Sequence, residues 1–176
     1  MADLISKLSF GVTCLWFAVR DRLSPPQEAV GEAGIEPGFH VLDYGCGPGS
    51  HAFAAAELVG PSGRVYAADA NPLAVRRVWA VAARRGLKNV GVIQTDCATG
   101  LEGHSVDVAL LYDTYHDLAQ PEAVLRELQR VLKPGGLLSF SDHHIKEGEI
   151  LSRVTGGGLF RLLGKGRRTY TFRPVG

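Results

Sequence analysis

Three glycines spaced two residues apart, Gly45, Gly47 and Gly49, form the segment of the sequence best suited to hold a ligand. They follow a short β-rich run and precede a helix-like stretch. Because glycine lacks a Cβ, its backbone can turn sharply and approach a ligand closely, and the amides of the next helix point at the bound group. A dinucleotide-binding turn reads G-x-G-x-x-G, but here the sixth position is Ser50. The segment predicts a ligand-binding turn and disfavours NAD as its ligand.

Four successive β-rich runs end at or next to an aspartate: Asp43, Asp69, Asp96 and Asp113. Each acid alone is typical of a cap or a turn. In an open α/β sheet, however, ligands lie beyond the carboxyl ends of the strands, and an acid at the end of the second strand accepts hydrogen bonds from ribose hydroxyls. The four acids and the glycine turn are therefore expected to converge on one crevice.

The elements that position these residues alternate between strand and helix. The sequence predicts strands at 39–44, 64–69, 89–95, 106–112 and 136–142, and helices at 27–33, 51–59, 72–85 and 121–132. This alternation is typical of right-handed βαβ units and a parallel sheet covered on both faces. Two further strand-like runs, 159–165 and 168–175, predict a terminal antiparallel hairpin with its turn at 164–166. The predicted fold is α/β, doubly wound, with a seven-stranded, mostly parallel sheet.

The first 22 residues carry an apolar pattern with helical spacing, centred on the run from Phe10 to Val19. Ten apolar residues cannot cross a hydrocarbon core that needs about 20, and no signal-peptide cleavage site follows. We interpret residues 3–22 as an amphipathic helix lying on the domain. Attachment to a membrane surface is the alternative.

The composition is that of a globular domain: 176 residues, 45% hydrophobic and 21% charged. Three cysteines, Cys14, Cys46 and Cys97, indicate neither a disulfide framework nor a zinc site, which favours a cytoplasmic location. The net charge of +1 argues against a surface shaped for nucleic acid. Six basic residues and no acidic residue follow Glu149. We interpret this basic segment as a solvated edge of the domain; attraction of an anionic substrate or RNA is the alternative.

With its ordered motifs VLDYGCGPGS, YAADANP, IQTDCATG, VDVALLYDTYHDL and LKPGGLLSFSD, the sequence resembles the class I S-adenosylmethionine-dependent methyltransferases. It is most similar to the small-molecule enzymes of the type 11-like group, over about residues 37–142. The resemblance implies a Rossmann-like methyltransferase fold, whose reversed last strand suits the predicted hairpin. It also implies S-adenosylmethionine as the cofactor.

The resemblance assigns parts of the cofactor to particular residues. The glycine turn would lie beneath the methionine part with Asp43 nearby, Asp69 would hold the ribose hydroxyls, and Asp96 would hold the adenine amino group beside Cys97. Tyr112 and Asp113 would border the methionine part. The implied cofactor-binding set is Asp43, Gly45, Cys46, Gly47, Gly49, Asp69, Ala70, Asp96, Cys97, Tyr112 and Asp113.

No catalytic residue follows from the motifs, so candidates come from position after the fourth and fifth strands. His116, His143 and Tyr115 are the predicted catalytic residues, because His suits proton abstraction near neutral pH. Adjacent His143 and His144 would face opposite ways, so one of them is expected in the pocket. The same histidines with Asp113, Asp117 and Asp142 could instead gather a divalent metal, although no metal is assigned. His40, His51 and His104 are interpreted as surface or cap residues.

The predicted acceptor is a small, partly hydrophobic molecule. YDTY lacks the prolines of nucleic-acid amino-methylating enzymes, and the apolar N-terminal helix with Trp16 and Phe17 could form a lid. Residues 1–35 are interpreted as this helical lid and residues 36–176 as the cofactor-binding part of one structural domain. A cofactor-binding protein or partner subunit without transferase activity is the alternative function.

Overall fold

A single sheet forms the centre of the computed structural model, which describes residues 2–175. Within these residues the sheet has seven strands in the order β3-β2-β1-β4-β5-β7-β6. Strands β1 to β5 are parallel, and β7 runs antiparallel to both β5 and β6. The strands are β1 His40–Tyr44, β2 Arg64–Asp69, β3 Val90–Gln94, β4 Val106–Tyr112, β5 Leu132–Ser141, β6 Phe160–Lys165 and β7 Tyr170–Pro174. The doubly wound α/β prediction is confirmed.

Helices cover both faces of the sheet. They are α1 Ala2–Leu23, α2 Pro26–Gly31, α3 Ser50–Val59, α4 Pro72–Arg85, α5 Pro121–Val131 and α6 Glu147–Thr155, with a 3₁₀ turn at Tyr115–Asp117. One core layer joins α2, α3 and α4 to the sheet, and the other joins α5 and α6. The central strands are buried on both sides, which explains their continuous apolar runs.

The strand order reverses between β1 and β4, which are neighbours in the sheet. At this point the connections from β1 and β4 leave toward opposite sides and open a crevice. The glycine turn follows β1, and Asp113 follows β4. The topology therefore places the glycine turn and Asp113 at the switch point of the sheet.

Three local predictions were wrong. Strand β5 begins at Leu132, directly after α5, and its pairing with β4 shifts register before Leu137. Helix α6 occupies a segment for which no element was predicted. The final hairpin turns at 166–169, where the Gly166 amide donates to the Thr169 carbonyl at 2.8 Å, rather than at 164–166.

The predicted lid segment, residues 1–35, contains two parts that pack differently. Helix α2 and the residues after it belong to the core, because Val30 and Ala33 are fully buried against α3. Helix α1 has no described side chain in either core cluster and lies over the crevice. No helix in the described residues is long and apolar enough to cross a membrane.

A hydrogen-bonded contact near the surface joins the residue after α2 to the C-terminal hairpin. Glu32 Oε2 accepts hydrogen bonds from the amides of Arg168 and Thr169, at 3.0 and 3.1 Å, and from the Thr169 hydroxyl. This carboxylate fixes the 166–169 turn beside the C-terminal end of α1. Arg168 is in this way brought to the rim of the crevice.

Candidate functional site

The glycine turn is held by backbone hydrogen bonds to the neighbouring strand. The amides of Gly45 and Cys46 both donate to the Ala68 carbonyl. The Gly47 amide donates to Asp69 Oδ2, and the Asn71 amide donates to Asp69 Oδ1, each at 2.8 Å. Asp69 thus closes the turn and still presents oxygen lone pairs to the crevice.

Two of the glycines are required for different reasons. Gly45 has φ +78°, and a Cβ there would collide with the Thr114 side chain. Gly47 has φ +50°, and a Cβ there would meet only Phe17 Cζ, 3.9 Å away. Gly45 therefore permits close packing within the protein, whereas Gly47 leaves open the space between the turn and α1.

That space is a cavity of about 520 Å³, which we call the Asp69 cavity. Six residues of the predicted cofactor-binding set line it: Gly45, Gly47, Asp69, Ala70, Asp96 and Asp113. Tyr44 and Asn71 also contribute, and α1 covers the cavity with Phe10, Thr13 and Phe17. The cavity combines carboxylates at the ends of successive strands with an apolar cover.

The other five predicted cofactor residues do not line the Asp69 cavity. The side chains of Asp43 and Cys46 are buried beneath the turn, and Gly49 faces Val78 and Phe53. Cys97 packs against the core, and its carbonyl accepts a hydrogen bond from Tyr44. The fifth, Tyr112, lines a second cavity described below.

Asp43 has a buried carboxylate oxygen with no partner. Its side chain lies in β1 under the glycine turn, and Oδ2 has no hydrogen bond in the described structure. Burial, together with the nearby charge of Asp69, raises the pKa of Asp43 from its ordinary value of 3.8 to about 7. An unpaired buried acceptor beside the turn is suited to a donor or a positive charge brought by a ligand.

The second cavity, of about 510 Å³, lies on the other side of Asp113 and is called here the His143 cavity. Its walls come from Tyr112, His51 and Ser141 on the sheet side and from Trp16 and the Pro25-Pro26 turn on the lid side. Three guanidinium groups line its rim: Arg20, Arg167 and Arg168. Asp113 borders both cavities, which therefore meet at the end of β4.

His51 was wrongly interpreted as a surface or cap residue. Its ring packs edge-on against Tyr112 with 4.9 Å between ring centroids, and it lines the His143 cavity. Burial, and then the charge of Arg20, lowers the pKa of His51 from 6.5 to about 4. The imidazole is therefore neutral at physiological pH. Its position at the start of α3, directly after the glycine turn, was the available sequence signal.

His143 is the predicted catalytic residue that lines a cavity. Its Nδ1 lies 2.6 Å from Asp113 Oδ1, and its amide donates to the same oxygen at 3.2 Å. Asp113 adopts φ +48°, a left-handed conformation uncommon for residues other than glycine, and its Oδ2 lies 3.5 Å from Arg20. The carboxylate fixes the ring orientation, which leaves Nε2 as the nitrogen free to accept a proton.

His116 and Tyr115 lie outside both cavities. His116 Nδ1 is 2.9 Å from the buried Asp142 Oδ2, and its Nε2 is 3.4 Å from Asp117. Tyr115 is buried against Phe140, with 5.6 Å between ring centroids. The catalytic role predicted for Tyr115 does not fit this placement, because its ring packs in the α5–α6 core layer rather than in the crevice.

The rings of His116, His143 and His144 lie close together at tilted angles but do not form a metal site. The His144 ring lies 4.1 Å from that of His116 and 3.9 Å from that of His143, between centroids. Among the described residues, no group of three or more His, Cys, Asp or Glu side chains could hold a metal ion. His116 Nδ1 contacts Asp142, whereas His143 Nδ1 contacts Asp113, so the two rings are held by different carboxylates.

Comparison with known proteins identifies the family. A family model described as a methyltransferase domain matches residues 35–157. The chain belongs to this methyltransferase family. Its fold matches the crystal structure of a SAM-dependent methyltransferase from Aquifex aeolicus with a TM-score of 0.78 and 27% identity, over 88% of this chain and 92% of that one. S-adenosylmethionine is accordingly the cofactor of this methyltransferase, as the resemblance implied.

Two relatives have quinones in their names. The chain is 28% identical to the ubiquinone/menaquinone biosynthesis C-methyltransferase of Pseudoalteromonas translucida, over 89% of this chain and 59% of the relative. It is 31% identical to the 2-phytyl-1,4-naphthoquinone methyltransferase of Synechococcus elongatus, over 81% of this chain and 58% of the relative. The chain thus spans less than two thirds of the length of each.

Proposed function

We propose that this methyltransferase transfers the methyl group of S-adenosylmethionine to a small molecule bound in the His143 cavity. The observation that carries the proposal is the position of Asp113, which borders both the Asp69 cavity and the His143 cavity. Two adjoining cavities that share one residue are suited to align a donor with an acceptor. Bound S-adenosylmethionine supplies an activated methyl group on a sulfonium.

The Asp69 cavity suits the cofactor in its shape and in its polar groups. Asp69 would accept from the ribose hydroxyls and Asp96 from the adenine amino group, as the family resemblance implies. The open space at Gly47 and the unpaired Oδ2 of Asp43 beneath the turn fit the methionine end. Phe10 and Phe17 on α1 would exclude water from the bound cofactor.

His143 is proposed as the base or orienting group for the acceptor. Asp113 holds Nδ1, so Nε2 can take a proton from an acceptor hydroxyl, amine or acidic carbon as the new bond forms. His51, neutral at physiological pH, and Tyr112 would form the opposite wall. The quinone-related names of two relatives support a small, partly hydrophobic acceptor. We also propose that the protein works in the cytoplasm.

The proposal is tested by acceptor-dependent formation of S-adenosylhomocysteine. Calorimetry should first show binding of S-adenosylmethionine and none of NAD. A panel of quinols, phenols and phenolic acids should then identify an acceptor. Binding without turnover on any acceptor would instead support a cofactor-binding protein without transferase activity.

With an acceptor in hand, His143→Ala should lower kcat by about 10²-fold, the usual contribution of a positioned base. The matched variant His116→Asn, which keeps a donor for Asp142, should change kcat by less than about threefold, because His116 lines neither cavity. Affinity for S-adenosylmethionine should be unchanged in both variants. Equal kcat values for His143→Ala and the wild type would refute the role of His143.

A further inference from the structure

Helix α1 presents large apolar side chains on the face that points away from the domain. They recur at intervals of four and three residues, and each is at least half exposed: Leu8, Val12, Leu15, Val19 and Leu23, with Trp16 beside them. This spacing places them on one stripe of the helix. We call these six residues the outer stripe.

The opposite face of α1 is already occupied by the domain. Phe10, Thr13 and Phe17 cover the Asp69 cavity, and Asp21 is hydrogen-bonded to Ser50 at the start of α3. Packing on the domain therefore uses a different face and leaves the outer stripe uncovered, apart from the edge at which Trp16 borders the His143 cavity. A helix that is apolar on two faces is expected to have a second apolar environment.

The charges beside the outer stripe are positive. Arg22 and Arg167 are exposed, and within the described part of the chain neither guanidinium has a hydrogen bond or an ion pair. Arg167 lines the His143 cavity together with Trp16, so this charge lies next to the stripe. Asp21, the acidic residue of α1 whose side chain is described, is turned inward to Ser50.

We propose that the outer stripe docks this methyltransferase on an anionic lipid surface. Apolar side chains with a tryptophan at the edge and unpaired arginines at the rim match the two layers of a bilayer interface, acyl chains and anionic headgroups. The outer stripe of a second copy of the chain would match the apolar side chains. The described part of that face, however, carries no carboxylate that could pair with the arginines. The helix lies in the plane of the membrane and does not cross it.

Vesicle binding tests this proposal without any need for an acceptor. The full-length protein should cosediment with vesicles of phosphatidylglycerol and phosphatidylcholine, and less with phosphatidylcholine alone. The double variant Leu15→Glu/Val19→Glu should bind at least tenfold more weakly. The control Trp79→Glu, at an equally exposed apolar residue on α4, should stay within twofold of wild type.

Two results would overturn the proposal. One is the absence of binding to anionic vesicles, or binding that Leu15→Glu/Val19→Glu leaves unchanged while circular dichroism shows an intact fold. The other is a dimer of the wild type in analytical ultracentrifugation, a monomer of the double variant, and no vesicle binding by either protein. That result would assign the stripe to self-association. The conservative variant Leu15→Phe should bind as well as wild type, because it keeps the apolar area.

Discussion

Folding shifts the pKa values of Asp43 and His51, which flank the glycine turn, in opposite directions. The folded protein keeps a proton on Asp43 up to about pH 7, whereas the unfolded chain loses it near pH 4. The free energy of unfolding therefore falls as pH rises through this window. His51 is deprotonated in the fold down to about pH 4 but protonated in the unfolded chain below about 6.5, so its contribution rises with pH. Between pH 4 and 6.5 the two effects oppose each other.

Single substitutions should separate these two contributions. In Asp43→Asn, the free energy of unfolding should rise from pH 4.5 to 6.5, by up to about 1.4 kcal/mol per pH unit. In His51→Gln it should fall over the same range by a similar amount. Urea denaturation at several pH values measures both, with Glu57→Gln, an exposed carboxylate on α3, expected to parallel wild type. Identical pH profiles for all four proteins would contradict the assigned pKa shifts.

At the scale of elements, a partly buried ionic contact fixes the loop that carries Asp96. Glu127 on α5 accepts from the Thr99 amide at 2.8 Å and from its hydroxyl at 2.6 Å, and Arg130 donates to it at 2.7 Å. The Arg130 hydrogen bond is the largest cause that lowers the pKa of Glu127, to about 2. The contact is therefore fully formed above the unfolded-state pKa near 4.5 and is lost as pH falls toward 2.

Removing this contact should loosen the loop. Glu127→Ala leaves two buried donors of Thr99 unpaired, so the free energy of unfolding should fall by about 1–3 kcal/mol. Affinity for S-adenosylmethionine, measured by calorimetry, should also fall because Asp96 lies three residues away. Arg126→Ala, which breaks the exposed pair with Glu122 on the same helix, should change neither quantity measurably. A Glu127→Ala protein with wild-type affinity would show that the loop is held by other contacts.

The elements were predictable where the sequence pattern is local. Helix α4 was predicted with its observed bounds, because Asn71 caps it, Pro72 opens it and Gly86 ends it in a left-handed conformation. Helix α6 was missed, since its nine residues are short and follow a polar segment without a capping side chain. Strand β5 was predicted too short, because Lys-Pro-Gly-Gly at 133–136, directly after its first residue, is typical of a turn.

The lining of the Asp69 cavity was more predictable than that of the His143 cavity. The carboxyl ends of parallel strands share one edge of the sheet, so Asp69, Asp96 and Asp113 line the Asp69 cavity as expected, whereas the fourth acid, Asp43, is buried beneath the turn. The directions of Tyr115 and His51 depend on a 3₁₀ turn and on packing against distant aromatic rings. Such contacts are made across the sheet and leave no periodic signal in the sequence.

At the scale of the whole molecule, one hydrogen bond connects helix α1 to the residue that follows the glycine turn. Ser50 Oγ donates to Asp21 Oδ2, and Asp21 Oδ1 also accepts from Arg20 at 2.8 Å. Arg20 in turn lies over the Phe17 ring, 4.2 Å from its centroid, and approaches Asp113. Contacts of α1 thus reach both cavities at once, on the helix face opposite the outer stripe.

A double-mutant cycle should reveal this connection. Asp21→Ala and Ser50→Ala should each weaken binding of S-adenosylmethionine by about 3–10-fold, the net worth of roughly one ordinary hydrogen bond. The double variant should bind no more weakly than either single variant, because the contact is already lost. Calorimetry measures the three affinities. Fully additive losses would show that the two side chains act independently of each other.

The order of the last strands has a consequence for synthesis on the ribosome. Strand β6 pairs with β7, and β7 lies between β5 and β6, so residues 160–165 have no place in the sheet until residues 170–174 have been made. The five parallel strands can assemble earlier, but the edge of β5 then stays open. Phe140 is exposed at this stage, because Phe172, which packs against it in the folded protein, has not yet been made. A nascent chain paused in this interval exposes an unpaired strand edge beside an aromatic core, which is the condition under which chaperone binding and misassembly compete with folding.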